Sequence, residues 1–321
     1  MSTTLQPIPW PHGLAPAAHP FSHTPSVDAP LPEADYLVVT WVTAEVEALA
    51  NVMTPGHSYT AWYRYEHNWS SFKSQLEKGA PALEEGCLGT YMPAQIGNKK
   101  VLCFKSNLHL NTDGPKLPLA GLWKQIIAEV KPKLVITTGT AGAIGTPMKL
   151  GDVLVSTSAS FDCKTTAFKH LNGESFHSPH VVATKEFPYA TEKLLPINAK
   201  KLPSADQNPQ IVWHDTSSFK QKINVVTADY FAFDTSENAD HLAGLGSAVE
   251  TDDAVLGMVA KELGAKAPAW MSIRNISDPE ITNDTSSVST QKNEAGKIYS
   301  EYAYWTTVGS AITTWAVIAS E

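Results

Sequence analysis

Six short apolar runs, alternating with stretches of helical spacing, constrain this chain more than any other feature. They are Asp35–Val42, Lys99–Ser106, Lys133–Thr138, Gly151–Ser156, Lys222–Thr227 and Ala269–Asp278. Their length and composition predict strands. Ala44–Ala50, with acidic residues in its first turn, predicts a helix. So does Leu117–Val130, which sets Leu119, Leu122, Trp123, Ile126 and Ile127 on one face. Asp252–Gly264 reads as a helix closed by its glycine, and residues 287–319 are mostly helical. Strands alternating with helices fold as an α/β sheet with helices on both faces. Function in such sheets gathers at the loops leaving the strands.

The remaining composition narrows the function classes. A length of 321 residues allows one large domain or two ordinary ones, and 43% hydrophobic residues can form a sizeable core. The balance of 24 basic against 32 acidic residues, a net charge of −8, argues against a general nucleic-acid binder. No apolar run approaches the roughly 18 residues that cross a bilayer, so no membrane association is expected. Residues 1–30 have no apolar segment of the signal-peptide kind, which suits a cytoplasmic location. Cys87, Cys103 and Cys163 are odd in number and widely spaced, which predicts thiols rather than a disulfide framework. No Cys-x-x-Cys pair suggests zinc, and no metal or cofactor is expected. Only Arg64 and Arg274 among the 24 basic residues are arginines, few for a site that grips phosphate.

Residues 1–34 carry eight prolines between Pro7 and Pro32 and read as an extended arm. Residues 35–321 read as one domain with two insertions. One, at 54–90, is aromatic and polar; the other, at 163–220, is rich in His, Lys and Pro and reads as a surface excursion.

Three segments carry candidate chemistry. Thr137–Gly142 places glycines after a buried strand, where backbone N–H groups can approach an oxygen-rich ligand. It is also an ordinary glycine-rich turn by composition, and it is neither a P-loop nor a dinucleotide fingerprint. Ala248–Asp253 opens a helix with carboxylates, which suits helix capping or a pair of sugar hydroxyls. Arg274–Asp278 ends a strand before Pro279, where an aspartate forms a turn or serves as a desolvated acid.

Together and in this order, these segments resemble the nucleoside phosphorylase and nucleosidase superfamily, most closely its 5′-methylthioadenosine/S-adenosylhomocysteine nucleosidases. Residues 135–155, Val-Ile-Thr-Thr-Gly-Thr-Ala-Gly-Ala-Ile-Gly-Thr-Pro-Met-Lys-Leu-Gly-Asp-Val-Leu-Val, resemble the family's Thr-Gly-Ser-Ala-Gly-Gly turn and following Lys-Val-Gly-Asp strand. Asp162 with Thr166-Ala-Phe168, Ala228-Asp-Tyr-Phe231, Glu250-Thr-Asp252, Arg274–Asp278 and Ala44-Glu-Val46 are similar to five further family motifs. The resemblance spans residues 35 to about 281. It implies a single domain with a central mixed, twisted sheet flanked by helices. Two departures stand out: Thr251 replaces the usual Met, and Asp252 is shorter than the usual Glu.

The resemblance also implies roles. The reaction is cleavage of a purine N-ribosidic bond, on an adenosine-type or 5′-substituted nucleoside. Asp278 protonates purine N7, oriented by Ser277 and Arg274, unless Arg274 is instead an ion-pair partner. Phe231 stacks on the base, and Glu250, Thr251 and Asp252 hold the ribose. Glu45 serves the attacking water, with Thr140, Gly139 and Gly142 positioning it. The family's phosphorylases place Arg before the glycine turn, where this chain has Thr137, and Glu45 would repel phosphate. Hydrolysis is therefore the favoured reading. Phosphorolysis remains the alternative, as does a non-enzymatic nucleoside-binding relative. A homo-oligomer, dimer or larger, is expected from the resemblance.

Overall fold

In the computed structural model, the described residues are 4–145, 147–217, 219–233, 235, 238–280 and 286–321. Residues 1–3 of the arm, Thr146 of the 135–155 stretch, Ser218 of the second insertion, residues 234, 236 and 237, and residues 281–285 lie outside them.

The strands in chain order are β1 (Pro16–Ala18), β2 (Tyr36–Thr40), β3 (Tyr63–Tyr65), β4 (Gly89–Ile96), β5 (Lys99–Ser106), β6 (Leu134–Ala143) and β7 (Val153–Ser156). They continue as β8 (Ser158–Asp162), β9 (Ser175–His177), β10 (Ile211–Val212), β11 (Val225–Ala228), β12 (Ala248–Glu250) and β13 (Ala269–Asp278). The longer helices are α1 (Thr43–Met53), α2 (Pro118–Val130), α3 (Asp253–Leu263) and α4 (Val288–Ser320).

All the strands join one mixed sheet. β6 is its spine. Its first half lies parallel to β2, its whole length runs parallel to β13, and its end meets β12 in antiparallel fashion. β13 pairs with β7, β7 runs through Thr157 into β8, and β8 pairs with β11, which pairs with β12. The pairings therefore return to β6, and this half of the sheet rolls onto itself.

Helices cover the sheet because each presents an apolar face. α2 buries Leu119, Leu122, Trp123, Ile126 and Ile127, the stripe predicted from its spacing, and Val130 beside them. α3 packs with α2 in one core layer. α4 shares the opposite layer with α1 and is buried almost all round from Ala303 to Ala319. No helix among the described residues is long and apolar enough to cross a membrane. The three cysteines are buried thiols.

Three expectations change. The region at 54–90 is tied into the sheet: β3 pairs with β4, and β4 begins at Gly89. In the region at 163–220, Phe187, Ala190, Leu194 and Leu195 enter the core beside α4, because their apolar side chains need the cover that α4 offers. The glycines at 139 and 142 belong to β6 itself rather than to a turn after it. The arm is extended, as its prolines require. It lies along the sheet, where β1 pairs with β4, Trp10 packs on Trp315 with ring centroids 4.7 Å apart, and Trp315 Nε1 donates to Leu14 O at 2.6 Å.

Candidate active site

A cleft enclosing about 590 Å³, its open mouth included, lies where β2, β6, β12 and β13 end. Its walls include Glu45, Thr140, Phe231, Glu250, Thr251, Asp252, Arg274, Ser277 and Asp278, so most of the candidate residues share one cavity.

Glu45 enters from the first turn of α1 and is 3% exposed. Its carboxylate accepts five hydrogen bonds. Oε2 takes those of Thr40 Oγ1 (2.9 Å), Trp41 N (2.9 Å) and Val42 N (3.1 Å). Oε1 takes those of Thr140 N and Thr140 Oγ1, both at 2.7 Å. The Thr140 N–H therefore serves Glu45 directly. Gly139, with φ 151°, has a different task from offering N–H to a ligand. A Cβ there would stand 2.4 Å from the Glu45 carboxyl carbon, so its bare backbone makes room for the side chain.

Asp278 closes β13 and is 6% exposed. Burial pushes its carboxyl up to about 7, while the Ser277 hydroxyl, donating to Oδ1 at 2.6 Å, works in the opposite direction. Gly142 stands opposite: a Cβ on it would lie 2.6 Å from Asp278 Oδ2. The two glycines of the β6 motif thus clear space for two different carboxyl groups.

Arg274 behaves as an ion-pair partner. Its guanidinium donates to both oxygens of Asp253, to Glu250 Oε2 at 3.2 Å and to Thr140 O at 3.4 Å, and it lies 5.1 Å from the Trp41 ring. None of these bonds reaches Asp278, so of the two expected partners only Ser277 bonds its carboxyl. One cation facing two buried carboxyls leaves one of them poorly compensated. Burial and the neighbouring Asp253 charge together outweigh Arg274 and raise the Glu250 carboxyl.

Glu250 and Asp252 stand at the wall with their oxygens largely taken. Glu250 accepts from Thr227 Oγ1 (2.5 Å), Asp252 N (2.6 Å) and Asp253 N (3.0 Å). Asp252 Oδ1 accepts from Leu110 N at 2.8 Å, and Oδ2 from Thr251 Oγ1 at 2.9 Å. Helix-start geometry and the approach of the 107–113 loop consume these groups. Phe231, 64% exposed at the mouth, packs against Phe233 and Tyr299 with centroid separations of 5.3 and 6.3 Å.

Two polar lining residues escaped the sequence reading. His109 comes from the loop after β5, with Nδ1 3.3 Å from Asp252 Oδ2. Tyr299 reaches in from α4 beside Thr140; burial, with the charge of Glu45, pushes its phenol up to about 12. Neither sits in a local motif, and only the assembled fold brings them to the cleft. Among the described residues no cluster of three His, Cys, Asp or Glu side chains is arranged to hold a metal.

The phosphorylase superfamily model matches residues 124–302, more than half of the chain. A 5′-methylthioadenosine/S-adenosylhomocysteine nucleosidase of an Exiguobacterium species is 28% identical over 189 residues, 58% of this chain and 71% of that protein. Among solved structures, the nucleosidase of the same name from Neisseria meningitidis, in complex with methylthio-immucillin-A, aligns with a TM-score of 0.50 and 17% identity, over 89% of this chain and all of that one. The corresponding protein from Colwellia psychrerythraea, in complex with adenine, aligns with a TM-score of 0.50 and 18% identity, over 90% and 96% of the two chains. At these identities the structures establish a shared fold.

Proposed function

Because the chain belongs to the phosphorylase superfamily, we propose that it hydrolyses the N-ribosidic bond of a purine nucleoside, adenosine-type or 5′-substituted. One observation carries the reading. Asp278, a carboxyl that burial raises to about 7 so that a large share stays protonated near neutrality, shares a cleft with Glu45, a carboxylate fixed by five donors. Acid on one side and carboxylate on the other is what departure of a base and attack by water require. The similarity to the Exiguobacterium nucleosidase points the same way.

In this reading the C1′–N9 bond breaks with its electron pair passing to the purine. Asp278 delivers a proton to N7, so the base leaves neutral. Water adds to the oxocarbenium-like C1′, and Glu45, exchanging one of its five hydrogen bonds for one from that water, orients it and takes up its proton. Phe231 covers the base at the cleft mouth, and Thr251 with Asp252 forms the wall beside the sugar. Thr140 acts through Glu45. Assembly into dimers or larger oligomers and a cytoplasmic location complete the proposal; three buried thiols suit a reducing compartment.

Water is favoured over phosphate by the state of the arginines. Arg274 is spent on Asp253 and Glu250, and Arg64 is bound to Glu66 and to the carbonyls of Glu85 and Gly86. The test is base release from adenosine-type nucleosides with and without inorganic phosphate. Free sugar formed at an unchanged rate is the expected result. A rate that rises and saturates with phosphate, yielding sugar 1-phosphate, makes the protein a phosphorylase. Tight binding without base release makes it a binding protein.

A further inference from the structure

The side chain that meets the sugar is not settled by the carboxylates of the helix start. Three donors from the protein already occupy the two oxygens of Asp252: Leu110 N, Thr251 Oγ1 and the imidazole of His109. Its side chain is 3% exposed. Of the roughly four acceptor sites of this buried carboxylate three are filled, which leaves at most one, on Oδ1, for a hydroxyl.

His109 has the complementary arrangement. Its Nδ1 faces Asp252 Oδ2, and a carboxylate only accepts, so the hydrogen sits on Nδ1. Nε2 is then the free end of the ring. It has no partner among the described residues, and His109 is one of the residues that line the open cleft. The loop that carries the ring is pinned at four points. Leu108 O accepts from Trp41 Nε1 (3.1 Å) and Ser106 Oγ (3.0 Å), His109 N donates to Asp113 Oδ2 (2.6 Å), and Leu110 N donates to Asp252. An imidazole with one nitrogen tied to a carboxylate and the other unpartnered, on a residue that lines a cavity, is preorganised for one directed hydrogen bond.

Resting on the nucleosidase reading, we propose that His109 is the sugar-hydroxyl ligand of this cleft, and that Asp252 is a positioning residue that holds its tautomer and orientation. The substrate class that follows carries a free ribose hydroxyl on the side of the α3 start, and a deoxyribose lacking it is discriminated against. The shorter Asp252 and the presence of His109 belong together. Where a longer carboxylate would reach the sugar itself, this chain stops short and completes the reach with an imidazole.

The experiment compares adenosine, 2′-deoxyadenosine and 3′-deoxyadenosine on the full chain, by calorimetric binding and by base release. Wild type is expected to prefer adenosine over one of the deoxy compounds. His109→Ala should reduce that preference roughly 10- to 100-fold, the worth of one strong hydrogen bond, with little change toward the disfavoured compound. His109→Gln, which keeps a polar end, should restore part of it and guards against a merely misfolded variant. Asp252→Asn turns an amide N–H₂ toward protein donors; it should lower the same preference, and adding it to His109→Ala should lower it no further. An undiminished preference in a folded His109→Ala protein, or no preference in wild type, overturns the assignment. If wild type binds these nucleosides but releases no base, the hydrolase reading fails while the binding preference still decides the role of His109. If wild type binds none of them, the His109 assignment fails, while base release from a 5′-substituted adenosine still decides the hydrolase reading.

Discussion

Gly139 and Glu45 fit together as backbone and side chain: a Cβ on the glycine would stand 2.4 Å from the carboxyl carbon and 2.4 Å from its Oε1. The carboxylate fills the space that a side chain at 139 would take. Its hydrogen bonds to Thr140 depend on that closeness.

Gly139→Ala should therefore damage the site and the fold together. The added methyl must push Glu45 away from Thr140 or strain β6 at a φ that disfavours a Cβ, at a cost of about 1–3 kcal/mol. Denaturant unfolding should show that loss, and base release should fall with it. An unchanged midpoint with full activity would show that Glu45 has another place to go.

For Asp278→Asn the expectation is a loss of turnover of about 10²–10⁴-fold in a folded protein, since an amide cannot deliver the proton. With a carboxyl near 7, wild-type turnover should decline as pH rises through that value. Stability follows the same group. Between its ordinary 3.8 and about 7, the folded state holds a proton that the unfolded chain has released. Wild-type stability relative to Asp278→Asn should thus decrease across that window, by up to about 4 kcal/mol, and level off above it. Parallel urea titrations of both proteins from pH 4 to 8 check the sign, and Asp113, also raised to about 7, cancels in the difference.

Much of this site could be read from the chain, for local reasons. Asp278 ends a strand whose ten residues are nearly all buried, and the Ala269–Asp278 run announces it. Glu45 comes in the first turn of the helix that follows a fully buried strand. β4 escaped notice because its burial is interrupted: Thr90, Pro93 and Gln95 face outward among apolar neighbours, and Pro93 reads as a breaker. The purpose of the β6 glycines was legible only in three dimensions. Glycine density signals close approach, but not that the approaching groups are the protein's own Glu45 and Asp278. His109 and Tyr299 lie in a loop and a long helix with no local signature, and tertiary packing alone delivers them.

Glu45→Gln should separate chemistry from binding. Whichever end of the amide carries N–H₂ meets at least two protein donors, since two converge on Oε1 and three on Oε2. Loss of the carboxylate should lower kcat by about 10²–10⁴-fold, with a much smaller change in the affinity for an unreactive nucleoside analogue. Steady-state kinetics beside calorimetry distinguishes the two. Equal losses in both would make Glu45 a binding group.

The extended arm bears on how copies of this protein meet one another. β4 would otherwise offer its outer edge to any passing strand. Instead β3 takes positions 89–91, β1 takes 94–96, and the Pro93 between them has no N–H to offer while its carbonyl accepts from His19 at 2.8 Å. The border of the sheet is broken into two three-residue pairings and a proline, too short and too discontinuous to template a neighbour's strand. A segment whose prolines bar it from helix thus covers the far half of this edge and leaves less of it open to strand pairing between copies.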